Sequence, residues 1–193
     1  EAIAVISDAG LPGISDPGEG LVTAARAEGR TVICIPGPSA VTTALVSSGL
    51  PTGRFCFEGF LPPKANQRRA RLKELAGETR TLVLFEAPHR LLALLDDLLA
   101  ELGDRPVAVT RELTKRHEQQ VGPTLAAALA HFRSQAPQGE FTLVLGGAPA
   151  ASATGCGDAA PSQDSLRASL DALMADGLSR SDAARQLAQQ TGI

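Results

Sequence analysis

Twice within the first fifty residues a short β-branched apolar run ends in a glycine- and proline-rich loop and gives way to a helical pattern. Residues 2–6 lead through Ser7-Asp8-Ala9-Gly10-Leu11-Pro12-Gly13-Ile14-Ser15-Asp16-Pro17-Gly18 into a helix over residues 19–28, which Gly29 can terminate. Residues 31–35 lead through Pro36-Gly37-Pro38-Ser39 into a second helix that Ser39 can cap, with Gly49 just past its end. Strand, loop, helix in immediate repetition is the order of a parallel sheet with helices on its faces. The chain is thereby placed in the α/β class.

The texture changes after Pro51. Residues 54–61 alternate around Phe55, Phe57 and Phe60 and stop at Pro62-Pro63. A basic helix over residues 66–76 follows, then an apolar strand over 81–86, then a helix opened by Pro88 with Leu91, Leu95, Leu98 and Leu102 on one stripe. A strand at 106–110, a polar segment at 111–120, a helix at 124–132 and a strand at 140–146 complete a second α/β domain. The expected organisation is therefore 1–51 for the C-terminal part of one α/β domain and 52–147 for another. Residues 148–163, almost all small, form a linker, and 164–193 form a small helical piece in which Ser179 can cap the last helix. Two short helices there would also suit a helix-turn-helix. Glu1 is not preceded by Met or by any element, which points to a piece cut inside a domain.

Composition narrows the function classes. With 18 basic and 21 acidic side chains the net charge is −3, which excludes a uniformly basic nucleic-acid binder and leaves room for a local patch. No Trp or Tyr is present and only 3% of residues are aromatic, which argues against a stacking platform of the kind that holds splayed bases. No apolar run approaches the roughly 18 residues of a membrane span, and no signal peptide is visible, so the cytosol is the expected location. Cys34, Cys56 and Cys156 are odd in number and far apart, giving neither a disulfide framework nor a metal site.

Both glycine-rich loops stand where ligands bind in open sheets, beyond the carboxyl ends of strands. Neither carries the Gly-Lys-Ser/Thr or G-x-G-x-x-G pattern of phosphate and dinucleotide cradles, so a nucleoside without phosphates suits them better. The segments S-D-A-G-L-P-G-I-S-D-P-G, I-P-G-P-S-A, F-C-F-E-G-F-L-P, L-F-E-A-P-H-R, R-E-L-T-K and G-E-F-T-L-V-L-G, in this order, resemble the tetrapyrrole-methylase-type, class III S-adenosylmethionine (AdoMet) methyltransferases. Within that superfamily the resemblance is greatest to enzymes that 2′-O-methylate a cytidine of small-subunit (16S) ribosomal RNA. The tail over 178–193 is similar to the end of that branch too.

The resemblance implies two α/β domains with AdoMet in the cleft between them, and usually a homodimer working on ribosomal RNA or the 30S subunit. The family's cofactor contacts carry over to Ser7, Asp8, Ala9 and Gly10, to Pro36, Gly37, Pro38, Ser39 and Ala40, and more loosely to Phe85, Glu86 and Gly146. Leu11 stands where the family usually has Thr, and the family's first βα units have no counterpart ahead of Glu1.

Two further sets of side chains bear on substrate and chemistry. Lys64, Arg68, Arg69, Arg71 and Lys73 run without one acid between them, and cations at a helix start oppose its macrodipole, so RNA phosphates would relieve them. Lys115, Arg116 and His117 extend the patch; the alternative is a solvated helix face partly neutralised by Glu74 and Glu78. A ribose hydroxyl is a weak acid, so a base or an alkoxide-stabilising cation would help its methylation, and Lys115, Glu112 and His89 are candidates in loops after strands. Each is equally able to serve as an ion-pair partner or a cap, and His131 reads as a surface or interface residue. The rival functions are a tetrapyrrole (porphyrinogen or precorrin) C-methyltransferase and a non-catalytic nucleic-acid-binding protein.

Overall fold

A computed structural model describes residues 2–7, 10–149, 163–175 and 179–191. The chain divides into two compact units, residues 1–149 and 150–193. The boundary expected near Thr52 falls inside the first unit.

The first unit is built on a five-stranded mixed sheet: β1 (Phe55–Phe60), β2 (Thr81–Glu86), β3 (Val107–Arg111), β4 (Gln119–Val121) and β5 (Phe141–Leu145), in the order β1-β2-β5-β3-β4. β1 and β2 are parallel, and every other pairing is antiparallel. β2 and β5 read as continuous apolar runs because both faces of the sheet are covered. On one face α3 (Ala65–Leu75), α4 (Pro88–Leu102) and α5 (Leu125–Ser134) set Leu72, Leu91, Leu95, Leu98 and Leu129 against Leu82, Leu84, Val109, Leu143 and Leu145. On the other, α2 (Ala40–Ser47) sets Val41, Ala44 and Leu45 against Val83, Ala108 and Val144. Each such Leu, fully buried, contributes about 1.5–3 kcal/mol, which makes the three-layer core the dominant stabilising element.

Local chemistry places the helix ends. Pro88 occupies the first turn of α4, where its missing N–H costs nothing, and Gly103 ends that helix at φ 77°. The Thr124 side chain accepts from the Ala127 N–H at 3.3 Å and caps α5. Ser39 starts α2 as expected, but its side chain makes no cap; its carbonyl accepts from Thr43 N–H at 2.9 Å instead.

Two expectations are corrected. Residues 2–6 and 31–35 form no strand and pair with none among the described residues, so no parallel sheet forms around them. Branched side chains favour extended backbone, whereas a sheet also needs a partner ladder, and Ile3, Ile6, Ile33 and Ile35 are all about 80% exposed or more. The helix between these runs, α1 (Glu19–Ala27), buries no residue. The second correction is β4, which begins within the polar segment 111–120, where the sequence predicts no strand. It is an edge strand held by Val109–Val121, Thr110–Gln120 and Arg111–Gln119 pairing, and its polar sequence needs no second covered face.

The second unit contains α6 (Gln163–Ala175) and α7 (Arg180–Thr191). Ser179 caps α7 as expected: Asp182 N–H donates to its oxygen at 3.2 Å, and its hydroxyl donates to the Asp182 carboxylate at 2.6 Å. Most of the expected linker, including Cys156, lies outside the described residues.

Candidate functional site

β2 and β3 both run opposite to β5, and β1 runs with β2, so β1, β2 and β3 end at the same edge of the sheet. Phe60, Glu86 and Arg111 close those three strands there. Loops at carboxyl ends are free to splay, which makes this edge the place to look for a ligand.

The two glycine-rich loops meet on the α2 side. Leu11 N–H donates to the Pro38 carbonyl at 2.9 Å, and Gly10, at φ +83°, passes so close that a Cβ would lie 2.7 Å from the same oxygen. Only glycine permits that approach. Gly37 faces open space, so bare backbone is presented beside the contact. Farther along the first loop, the Ser15 hydroxyl lies 3.4 Å from where a Cβ on Gly59 would be, which brings the loop onto the end of β1. Ser7 is half-buried, Pro36, Pro38 and Ala40 are exposed, and Asp8 and Ala9 lie outside the described residues.

The three expected contacts from residues 52–147 do not converge. Phe85 faces the α2 side, edge-on to Phe57 at 5.0 Å and tilted against Phe60 at 5.7 Å. Glu86, the next residue in the strand, faces the α3–α4 side. It is buried, accepts from Ala87 N–H at 2.9 Å and pairs with Arg90 at 3.3 Å. Burial pushes its carboxyl up, and Ala87 N–H and Arg90 only partly oppose this. Gly146 is at the other end of the sheet, because β5 is antiparallel to β2 and about 15 Å of strand separates the two edges. Its N–H donates to Pro106 at 2.8 Å, a packing role. Phe85 therefore remains at the edge, while the Glu86 side chain and Gly146 do not face it.

After β3 the chain makes a strained turn, with Glu112 at φ 48° and Thr114 at φ 66°. Glu112 Oε1 accepts from Glu140 N–H at 2.9 Å, and Lys115 Nζ lies 3.4 Å from Glu112 and 3.0 Å from Glu140. The Glu140 N–H, against some desolvation and with help from Lys115, holds the Glu112 carboxyl below its usual range. The Glu140 hydrogen bond is also the main cause that keeps Lys115 protonated above its usual value. At neutral pH this is a fixed, half-exposed cation between two carboxylates. Leu113 anchors the turn on the α2-side cluster with Phe57 and Phe85. Arg116, His117 and His89 are exposed, and His131 is half-buried beside Gln119 at 3.2 Å.

Gly139, at φ +81°, makes the seat for Glu112, since a Cβ there would lie 2.7 Å from Glu112 Cγ. Gly139→Ala is expected to cost about 1–2 kcal/mol from backbone conformation alone, measurable by thermal unfolding, and to displace Glu112 from Lys115.

The basic segment differs most from its sequence reading. Arg68 is buried, with Nε 2.7 Å and Nη2 2.6 Å from Asp97 of α4, and Arg69 reaches the other Asp97 oxygen at 2.7 Å. Arg71 donates to Glu58 of β1 at 2.7 and 3.0 Å and to Glu74 at 2.7 Å. Arg68 is thus a buried structural strut, Arg69 shares the one Asp97 carboxylate with it so that the trio keeps a net positive charge, and Arg71 is neutralised by its two carboxylates. Lys64 and Lys73 stay exposed. Glu78 does not neutralise this helix: it binds Arg80 at 2.6 and 2.9 Å, which pushes its carboxyl down to about 2. Arg90, unremarked in the sequence, donates to Leu61 O at 2.7 Å and fixes the turn after β1.

Comparison with known proteins agrees with this architecture. The family model of tetrapyrrole (corrin/porphyrin) methylases matches residues 1–129. A Synechocystis protein named ribosomal RNA small subunit methyltransferase I is 52% identical over 99% of this chain and 67% of its own length. Proteins of the same name from Mycobacterium bovis and Xylella fastidiosa are 55% and 45% identical, over 76% and 100% of this chain. The chain spans 51% of the first of these and 68% of the second. The solved methyltransferase CobJ superposes with a TM-score of 0.53 at 20% identity, covering 72% of this chain and 62% of CobJ, and so shares the fold. By sequence, matched family and fold, the chain belongs to the tetrapyrrole methylase family, in the branch whose members are named ribosomal RNA small subunit methyltransferase I.

Proposed function

We propose that the chain belongs to an AdoMet-dependent methyltransferase that transfers a methyl group to the 2′-oxygen of a cytidine in small-subunit ribosomal RNA. It works as a cytoplasmic homodimer, with residues 1–51 and 52–147 forming the two sides of its cleft. The single observation that carries this is 52% identity to a ribosomal RNA small subunit methyltransferase I across 99% of the chain.

The residues present suit the cofactor. Gly10 and Pro38 appose two loops backbone to backbone, and Gly37 leaves room for a nucleoside to approach the main chain. Ser7, Asp8, Ala9 and Gly10, with Pro36 through Ala40, would hold it. When bound, AdoMet supplies an electrophilic methyl on a positively charged sulfur. The protein then has to align the ribose oxygen and steady the negative charge that grows on it. Lys115, protonated and held by Glu112 and Glu140, would offer that oxygen a preorganised N–H donor at the edge where β3 ends. Glu112, kept ionised and already accepting two hydrogen bonds, serves as the anchor of Lys115 rather than as a proton acceptor.

The direct test incubates the protein, at the full length of its relatives, with undermethylated 30S subunits and labelled AdoMet. One 2′-O-methylcytidine in the 16S RNA is expected by nuclease digestion and mass spectrometry. Transfer to a porphyrinogen with none to RNA would replace the proposal by tetrapyrrole C-methylation. Gly10→Ala, which forces the Pro38 carbonyl away, is expected to weaken AdoMet at least tenfold by calorimetry, and its φ of +83° adds the same backbone cost of about 1–2 kcal/mol as at Gly139.

A further inference from the structure

In a regular strand Phe57 and Phe60, three residues apart, would point to opposite faces of the sheet. In β1 they do not. The pairing with β2 runs Phe57–Val83 and then Gly59–Leu84, so Glu58 is an extra, unpaired residue, and Gly59 takes φ +61°. A bulge of this kind re-aims the side chains that follow it. Here it moves Phe60 onto the face of Phe57 and Phe85, gathering three of the chain's six Phe at the carboxyl edge. The bulge is strapped: both Nε and Nη2 of Arg71 donate to the Glu58 carboxylate. A Cβ on Gly59 would only touch the Ser15 hydroxyl and the Phe57 ring at ordinary contact distance, so it is the positive φ that calls for glycine.

The strap and the bulge deliver a ring that is 52% exposed. A hydrophobic core gains little from such a residue, and one side of the ring is left to solvent. Four residues on, the exposed ammonium of Lys64 has no carboxylate partner among the described residues. An aromatic face followed by an unpaired cation fits one nucleotide, whose base stacks and whose phosphate is anionic.

We propose that the exposed face of Phe60 stacks on the base of the RNA nucleotide presented for methylation, and that the Glu58–Gly59 bulge, held by Arg71, turns the ring toward it. This rests on the RNA methyltransferase function proposed above and adds the residue that reads the target base.

The test uses the protein at its relatives' full length and an RNA hairpin carrying the target cytidine, with binding followed by anisotropy. Phe60→Leu keeps the apolar contact with Phe85 and removes the π-face, so it is expected to weaken the hairpin about tenfold or more, the scale of one base stacked on an aromatic ring. Phe60→Trp is expected to retain affinity. Because residues 1–193 contain no Trp, its emission should be quenched by the intact hairpin and not by one abasic at the target. On the abasic hairpin the parent and Phe60→Leu are expected to bind alike, and AdoMet affinity should be the same in both proteins. Unchanged hairpin binding by Phe60→Leu overturns the proposal, as does an equal loss on the abasic hairpin. A fall in AdoMet affinity overturns it as well, because the ring then stacks on adenine. A parent protein that neither binds nor methylates RNA removes the function itself, an outcome distinct from a parent that methylates RNA and is indifferent to Phe60.

Discussion

Asp97→Ala is expected to destabilise the first unit by about 3–5 kcal/mol, because it strands Arg68 as a buried, uncompensated cation. Both side chains are almost fully buried, 7% exposed for Arg68 and 5% for Asp97, so water cannot take over the lost partner. In a domain whose net stability is on the order of 5–15 kcal/mol this is a large share, and the unfolding midpoint should fall by about 10 °C. Arg133→Ala is the control. It removes a pair with Asp96 in which both side chains are at least half exposed, and it should cost under about 1 kcal/mol. The pH dependence follows from the same site. Burial alone would raise the Asp97 carboxyl, but hydrogen bonds from Arg69 and Arg68 outweigh it and hold the group below its ordinary 3.8. The folded value therefore lies below the unfolded one, so the contribution is complete above about pH 4 and is lost as the pH falls through the folded value. Asp97→Asn should flatten that acid limb, and a denaturation series from pH 5 to pH 2 that is identical in parent and variant would refute the assignment.

The same pair shows what a sequence can and cannot convey. A run of cations over Lys64, Arg68, Arg69, Arg71 and Lys73 is plain in one dimension, but the distant acids that pair with its three arginines are not. Asp97 sits 28–29 positions away on another helix, and Glu58 sits 13 positions back in a strand. The local periodicities carried further. The leucine stripe of α4 and the apolar run of β2 were legible because burial on one stripe or on both faces leaves a pattern within a few residues. The runs at 2–6 and 31–35 show the limit of that logic, since extended preference is local and strand pairing is not. Gly146 fails for a related reason. A uniformly parallel reading puts every strand's carboxyl end at one edge, whereas β5 runs antiparallel and carries Gly146 to the far edge. Phe60 could not be oriented from its sequence spacing at all, because a single bulged residue reverses its face.

Lys115→Ala is expected to lower the single-turnover methylation rate by roughly 10²-fold or more at saturating RNA and AdoMet, the scale at which removal of one preorganised donor acts. Three observations support an electrostatic role. The side chain follows β3 at the edge where β1 and β2 also end, it is pinned by Glu112 and Glu140, and those carboxylates keep it protonated. A group held above its usual value stays cationic across the working range, so its loss should depress the rate by a nearly constant factor from pH 6 to 9. A Lys acting as a base would instead give a rate rising with pH and a variant lacking that rise. Glu112→Gln keeps the backbone contact and removes the charge that anchors Lys115. It should therefore lower the rate by a smaller factor while RNA affinity stays within about twofold of the parent. Lys115→Arg keeps the cation at a different reach and should recover part of the loss. If Lys115→Ala instead methylates at the parent rate once RNA is saturating, and only RNA affinity has dropped, then Lys115 holds a phosphate and the growing alkoxide is steadied by another group.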